Sequence, residues 1–205
     1  MTNKNGLMIV ISGPAGSGKG TVNAHLLAEG DFVYSVSATT RAPRPGEVDG
    51  VNYHFITREE FQSRIQSGDM LEYTEYCGNF YGTPLKEAEE VLASGKNLIL
   101  EIEVEGARNV KKAYPEAVLI MLLPPSFAVQ EQRLRSRGTE TEEKICERLT
   151  RTREELKEAD CYDYVVYNYD GKDTEAADTI RGIVQAEKQT MRRNRDLVSH
   201  YFESN

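Results

Sequence analysis

Residues 13–21 run Gly-Pro-Ala-Gly-Ser-Gly-Lys-Gly-Thr. Glycines at 13, 16 and 18 admit backbone angles closed to other residues and let amides come close to a ligand. Successive N–H groups then point into one concavity, the following helix start adds positive potential, and Lys19 supplies a full charge. This is a cradle for nucleotide phosphates, built from Gly13, Pro14, Ala15, Gly16, Ser17, Gly18, Lys19, Gly20 and Thr21. Gly20 stands where the common motif has Ser or Thr, so the hydroxyl is displaced to Thr21. A second group is Arg41 and Arg44 with Tyr53 nearby. Two guanidinium forks and a phenol clamp a phosphate dianion through charge-assisted bonds, on a loop stiffened by Pro43 and Pro45. The stretch Arg133–Arg153 holds six arginines, at 133, 135, 137, 148, 151 and 153. It reads either as a salt-bridged exposed helix or as a lid whose arginines meet the charge spread over a transferring phosphoryl group. Glu101, Glu103 and Glu105 follow the apolar run "NLIL" and so lie at the carboxyl end of a strand, where α/β proteins build their sites.

The elements that must carry these residues alternate. "LMIVIS" (Leu7–Ser12) is a short apolar run, as a buried parallel strand would be, and a helix is expected from about Gly18 to Ala28. "FVYSVSATT" reads as one strand running into a Pro/Gly-rich loop, "RAPRPGEVDG". "NYHFI" reads as a strand. Thr57 and Glu60 form a capping box for the helix "REEFQSRIQS", stopped by Gly68. "MLEYTEY" and "NFYGT" flank Cys77-Gly78 as a hairpin. Residues 37–83 therefore read as a small antiparallel unit with one helix, inserted in a parallel-sheet protein. Helices and strands then alternate again: a helix from Pro84 to near Gly95, "NLILEI" as strand, "EGARNVKKAY" as helix, "AVLIMLL" as strand. Ser126 caps a helix to about Arg137, "GTETEE" opens another to about Ala159, "YDYVVYN" is a strand, and a long helix begins at Thr174. The expected fold is α/β: a three-layer core with a parallel sheet flanked by helices, a mixed α+β insertion and a helical lid. The expected division is residues 1–36, 84–124 and 157–205 for the core, 37–83 for the insertion and 125–156 for the lid.

Composition narrows the class. At 205 residues the chain can bury one substantial core. Its 33 acidic against 25 basic residues give a net charge of −8, which disfavours nucleic acid and anionic membranes as partners and confines any polyanion to a local basic site. The longest apolar run, Ala117–Leu123, is far short of a membrane span, and the N-terminus lacks a signal-peptide pattern, so a cytoplasmic protein is expected. Cys77, Cys146 and Cys161 have no metal or redox spacing, and His25, His54 and His200 are scattered.

The "GKGT" ending of the loop resembles the nucleoside monophosphate kinases, in which Mg2+ is held mainly by nucleotide oxygens and water. Ser37–Phe55, "SATTRAPRPGEVDGVNYHF", closely resembles the guanylate kinase signature TTRxPRxGExxGxxYxF, matching at Thr39, Thr40, Arg41, Pro43, Arg44, Gly46, Glu47, Gly50, Tyr53 and Phe55. The likeness extends to "GNFYGTP", "LEIEVEGA", "RGTETEE" and "VVYN", and so to nearly the whole chain. It implies transfer of the γ-phosphoryl group of ATP to GMP, with Mg2+. Arg41, Arg44, Tyr53 and Tyr81 would hold the GMP phosphate; Ser37, Glu72 and Thr83 would read guanine. Glu47, Gly82 and Glu103 complete the implied GMP site. Lys19, Arg41, Arg137 and Arg148 would act at the transfer point, Asn168 would meet the adenine of ATP, and Glu101 would order Mg2+ through water. Glu103 departs from the Asp usual there. A different class also fits the resemblance: a guanylate-kinase-like interaction module without catalysis, in which the phosphate loop is typically degraded. Here Lys19 and the loop glycines are intact. A kinase for another monophosphate is disfavoured by Glu72 with Thr83. The oligomeric state is left open.

Overall fold

The computed structural model describes residues 6–76, 78–136, 138, 141–196 and 201–202. Five parallel strands form the central sheet in the order β2-β7-β1-β8-β9. They are β1 (Met8–Ser12), β2 (Phe32–Tyr34), β7 (Asn97–Leu100), β8 (Val118–Leu123) and β9 (Tyr164–Tyr167). β1 is buried throughout because it pairs on both edges, Ile9 lying opposite Ile99 on one side and Val118 on the other. Its side chains alternate between two cores. Ile9 and Ile11 pack with Val22 and Leu26 of α1 (Lys19–Leu27) and with Ile180 and Val184 of α7 (Asp173–Lys188). Met8 and Val10 pack with Ala88 and Leu92 of α3 (Leu85–Ala93) and with Ala107 and Val110 of α4 (Val104–Ala113). A sheet apolar on both faces needs helices on both faces, and that gives the three layers.

A second sheet, in the order β4-β3-β6-β5, takes its strands from residues 38–84: β3 (Ala38–Thr39), β4 (His54–Phe55), β5 (Met70–Tyr76) and β6 (Asn79–Pro84). α2 (Arg58–Ser67) begins as its capping box demands, the Thr57 hydroxyl accepting from the Glu60 N–H, and ends at Gly68 in the left-handed region. It buries one side chain, Phe61, stacked on Phe80 with centroids 5.2 Å apart.

Two expectations about the strands need correction. "FVYSVSATT" is not one strand. β2 ends at Tyr34 and β3 starts at Ala38, and they belong to different sheets. A continuous apolar pattern carries no mark of where the chain changes partners. Nor is the second sheet purely antiparallel: β3 and β4 pair parallel, Ala38 opposite His54. The loop 40–53 between them is long enough to reverse the chain and bring it back in the same direction.

α5 (Phe127–Ser136) and α6 (Glu142–Glu155) form a helix pair with a small core of Leu134, Ile145 and Leu149, against which Ala15 and Phe127 pack. α6 stops before the expected Ala159 and continues as a 3-10 turn, Leu156–Cys161.

Candidate active site

The loop after β1 is shaped by contacts that exclude side chains. A Cβ on Gly13 would sit 2.1 Å from the Leu122 carbonyl oxygen, so β8 can run alongside only if this residue is glycine. Gly18 caps α1 at φ 88°, and a Cβ there would lie 2.3 Å from Asn168 Nδ2. α1 opens with no side-chain cap and no acidic residue in its first turn, which leaves its first amides and its dipole for an anion. Lys19 folds back so that Nζ donates to the Gly13 carbonyl. Asn168 is buried, its Nδ2 donating to Ser17 O at 3.0 Å and to Asp173 Oδ1 at 3.0 Å. Its nitrogen is thereby spent on bracing the loop, while the residue still lines a cleft of about 270 Å³ with Gly16, Gly18, Arg133, Tyr169 and Asp173. Arg133 ties that cleft together, donating to the carbonyls of Gly16 and Asn168 and to Asp170.

In the second sheet, Arg41 meets Glu47 through two parallel bonds of 3.0 and 2.9 Å, and Glu47 also accepts from the Arg44 N–H at 2.7 Å. The Arg41 fork holds the Glu47 carboxyl below its usual range. Arg41 lies 5.5 Å from the centroid of the Tyr53 ring, and Tyr53 and Tyr81 stand edge to face at 6.1 Å. Arg41, Glu47, Tyr53 and Tyr81 thus form one cluster, with Arg44 exposed beside it. Gly82 pairs with Ala38 in the same sheet, and Ser37 lies just before β3.

Glu72 lies opposite Thr83 on β5 and β6. The carboxylate is buried to 5% exposure, and Thr83 Oγ1 donates to Oε1 at 2.9 Å. Burial pushes its pKa up to about 7, Thr83's hydroxyl and backbone N–H offsetting part of the rise. Gly106 of α4 leaves room for the other oxygen, a Cβ there falling 3.3 Å from Oε2. Glu72, Thr74 and Glu105 line an open cleft of about 440 Å³ between β5 and α4.

At the carboxyl end of β7, Glu101 Oε2 accepts from Asn23 Nδ2 at 2.9 Å and from the Tyr34 hydroxyl at 2.6 Å. Asn23 belongs to α1, so this carboxylate is tied to the helix that the phosphate loop begins. Glu103 turns instead to α6, where Arg151 Nη2 donates to it. Arg148 is exposed on α6, and Arg137 lies outside the described residues, as does Cys77.

Sequence reasoning left some participants out. Arg151 carries no spacing that singles it out among the arginines of 133–153, yet it links α6 to Glu103. Tyr34, Asn23, Gln130 and Thr152 carried no signal, because the residues they bond lie 67, 78, 115 and 22 positions away. Arg135 pairs with Glu131 and Glu142, the salt-bridged helix face that its spacing suggests.

The guanylate kinase family model matches residues 5–187. A guanylate kinase of Halalkalibacterium halodurans is 52% identical over 188 residues, covering 91% of each chain. One from Clostridioides difficile is 46% identical over 200 residues, covering 97% of each. The crystal structure of guanylate kinase from Anaplasma phagocytophilum superposes with a TM-score of 0.76 at 34% identity, covering 98% of this chain and 97% of that one. A phosphate loop on a parallel sheet, an arginine–tyrosine cluster on a second sheet and likeness along the full length agree: the chain belongs to the guanylate kinase family, the ATP:GMP phosphotransferases among the nucleoside monophosphate kinases.

Proposed function

We propose that the chain moves the γ-phosphoryl group of ATP onto the phosphate of GMP, giving ADP and GDP, with three working parts: the parallel core, the insertion 37–83 and the lid 125–156. The observation that carries the GMP assignment is Glu72, a buried carboxylate met by a hydroxyl and a backbone N–H of Thr83 and, among the described residues, by no cation. Guanine offers N1–H and the 2-amino group as adjacent donors, which one carboxylate accepts together. Adenine would set a ring-nitrogen lone pair against it. Leaving such groups unpaired in a buried site costs on the order of 2–5 kcal/mol. Ser37 would supply a hydroxyl donor for the O6 edge, while Thr83, whose one hydroxyl proton goes to Glu72, would hold that carboxylate in place.

The cluster of Arg41, Arg44, Tyr53 and Tyr81 would take the GMP phosphate, with Glu47 holding the Arg41 fork rigid so that little freedom is lost on binding. The loop 13–21 would wrap the ATP phosphates, Lys19 leaving Gly13 O for them. Asn168 supports the ATP site chiefly by fixing Ser17. Glu101 suits Mg2+, a hard cation that keeps most of its water and binds through a carboxylate and nucleotide oxygens, because Asn23 and Tyr34 orient it beside α1. Mg2+ bound there would neutralise charge on the phosphates. Arg148, with Arg137, would meet the equatorial oxygens of the phosphoryl group in transfer. No general base is assigned, since positioning and charge account for most of the catalysis. Glu103 is proposed to act from the edge of the GMP site through Arg151. The cytoplasm, where both nucleotides are at hand, is the proposed compartment.

The test is ADP release from ATP and Mg2+ in the presence of GMP. Lys19→Ala should lower kcat by about 100-fold or more, while the melting temperature stays near that of the parent. Full turnover by Lys19→Ala would remove the loop from the chemistry. GMP binding without any ADP release by the parent would favour the interaction-module reading.

A further inference from the structure

Gln130 sits in α5 with 1% exposure, a primary amide buried beside the apolar side chains of the helix pair. Both protons of its Nε2 are used. One goes to the Ala15 carbonyl of the phosphate loop at 2.9 Å, the other to Thr152 Oγ1 of α6 at 2.8 Å. Thr152 is itself 2% exposed and donates onward to the Arg148 carbonyl at 2.9 Å. The next residue of the loop also rests on Gln130: a Cβ on Gly16 would lie 3.4 Å from its Cγ and from its carbonyl oxygen. A buried chain of hydrogen bonds thus runs from the phosphate loop, through α5, to the peptide of Arg148.

The apolar contacts around this chain, among Ala15, Leu134, Ile145 and Leu149, are non-directional and favour close approach more than one exact alignment. Directed bonds of fixed length between buried groups are different, since a small shift leaves a donor unmet in a dry place. Apolar side chains could fill the same space without desolvating an amide and a hydroxyl, so these polar groups act in setting position rather than in holding the helices together.

We propose that Gln130 is a positioning residue: with Thr152 it couples the phosphate loop to α6, so that ordering of the loop by a nucleotide fixes the height and rotation of the α6 turn that bears Arg148. The inference rests on the reading of Arg148 as a transfer-point arginine. Gln130 touches no substrate. It acts by removing the freedom of α6 to stand a fraction of a turn out of place.

The test compares the parent with the double variant Gln130→Leu/Thr152→Ala, which replaces the polar chain by an apolar contact. Its melting temperature should stay within a few degrees of the parent, the KM values for ATP and GMP within about threefold, and kcat should fall about tenfold, because the loss is in alignment rather than in binding. A double variant that folds and keeps the parent's kcat overturns the proposal and leaves the chain as packing only. Amide exchange gives a second reading that does not depend on that variant folding. In the parent, ADP alone should slow exchange at residues 148–152 several-fold, though none of these residues belongs to the loop. Exchange there that ignores ADP also overturns the proposal. Arg148→Ala separates the two levels. If that variant keeps the parent's kcat, the transfer role of Arg148 is lost, and the response of α6 to ADP alone decides whether the coupling exists.

Discussion

Glu72 carries a consequence at the scale of one residue. Its folded pKa is raised from 4.5 to about 7 by burial. Below pH 4.5 the carboxyl is protonated folded or unfolded, and its burial carries no charge penalty. Between 4.5 and about 7 the unfolded chain ionises first, so the stability of the free protein falls as pH rises through this window. Above it the charged carboxylate costs the fold about 3 kcal/mol. Glu72→Gln keeps an acceptor for Thr83 and removes the charge. It should therefore melt higher than the parent at pH 8 and close to it at pH 4.5, as thermal unfolding at the two pH values will show. Guanine held as proposed would require the ionised form, so the KM for GMP in the parent should rise as pH falls below about 7. A KM that is flat from pH 6 to 8 would mean that Glu72 does not face the base. The residue types at this site were legible in the sequence, since the signature spacing and Glu72 itself point to guanine through a resemblance. What no spacing reveals is that Glu72 is buried with its charge offset only in part by Thr83, because that depends on where β6 and α4 lie.

At the scale of elements, capping and close approach make separable predictions. Thr57→Ala removes the hydroxyl that accepts the Glu60 N–H at 3.1 Å, and should cost about 1 kcal/mol in denaturant unfolding with kcat unchanged, since α2 carries no residue of the proposed chemistry. Gly18→Ala should do the reverse damage. Its Cβ would meet Asn168 Nδ2 at 2.3 Å while φ stays at 88°, so the loop must shift and ATP affinity should fall about tenfold or more, read by titration calorimetry. Wild-type ATP affinity in Gly18→Ala would show that the loop has another way to reach the phosphates. Both elements could be found in the sequence, because a capping box and a glycine loop are local patterns. The break between β2 and β3 could not, since Tyr34 and Ala38 differ only in which distant strand they meet: β7 for one, β4 and β6 for the other.

Across the whole molecule, the phosphate loop and the arginine–tyrosine cluster sit on two sheets, joined where α4 packs on β5, and the α5–α6 pair packs against Ala15 of the loop. The proposed closure of the α5–α6 pair over two nucleotides would keep water from taking the phosphoryl group, so ADP release without GMP should be slower than with it by about a thousandfold or more. One tie between core and lid is the surface pair Glu103–Arg151, with side chains 59% and 39% exposed. Pairs this wet contribute under about 1 kcal/mol, so Glu103→Ala should shift the melting temperature by only a few degrees. The overall architecture was legible from alternating apolar runs, while the tie between lid and loop was not, since Gln130 and Thr152 look like ordinary helix residues until α5 and α6 are brought together. The central claim is that the chain phosphorylates GMP because Glu72 reads guanine. The most direct measurement is kcat/KM for GMP and for AMP, with ATP and Mg2+, in the parent and in Glu72→Gln. A preference for GMP of about a thousandfold or more in the parent, collapsing by at least about tenfold in Glu72→Gln, is the expected result. Equal use of AMP and GMP by the parent, or a preference untouched by Glu72→Gln, would contradict it.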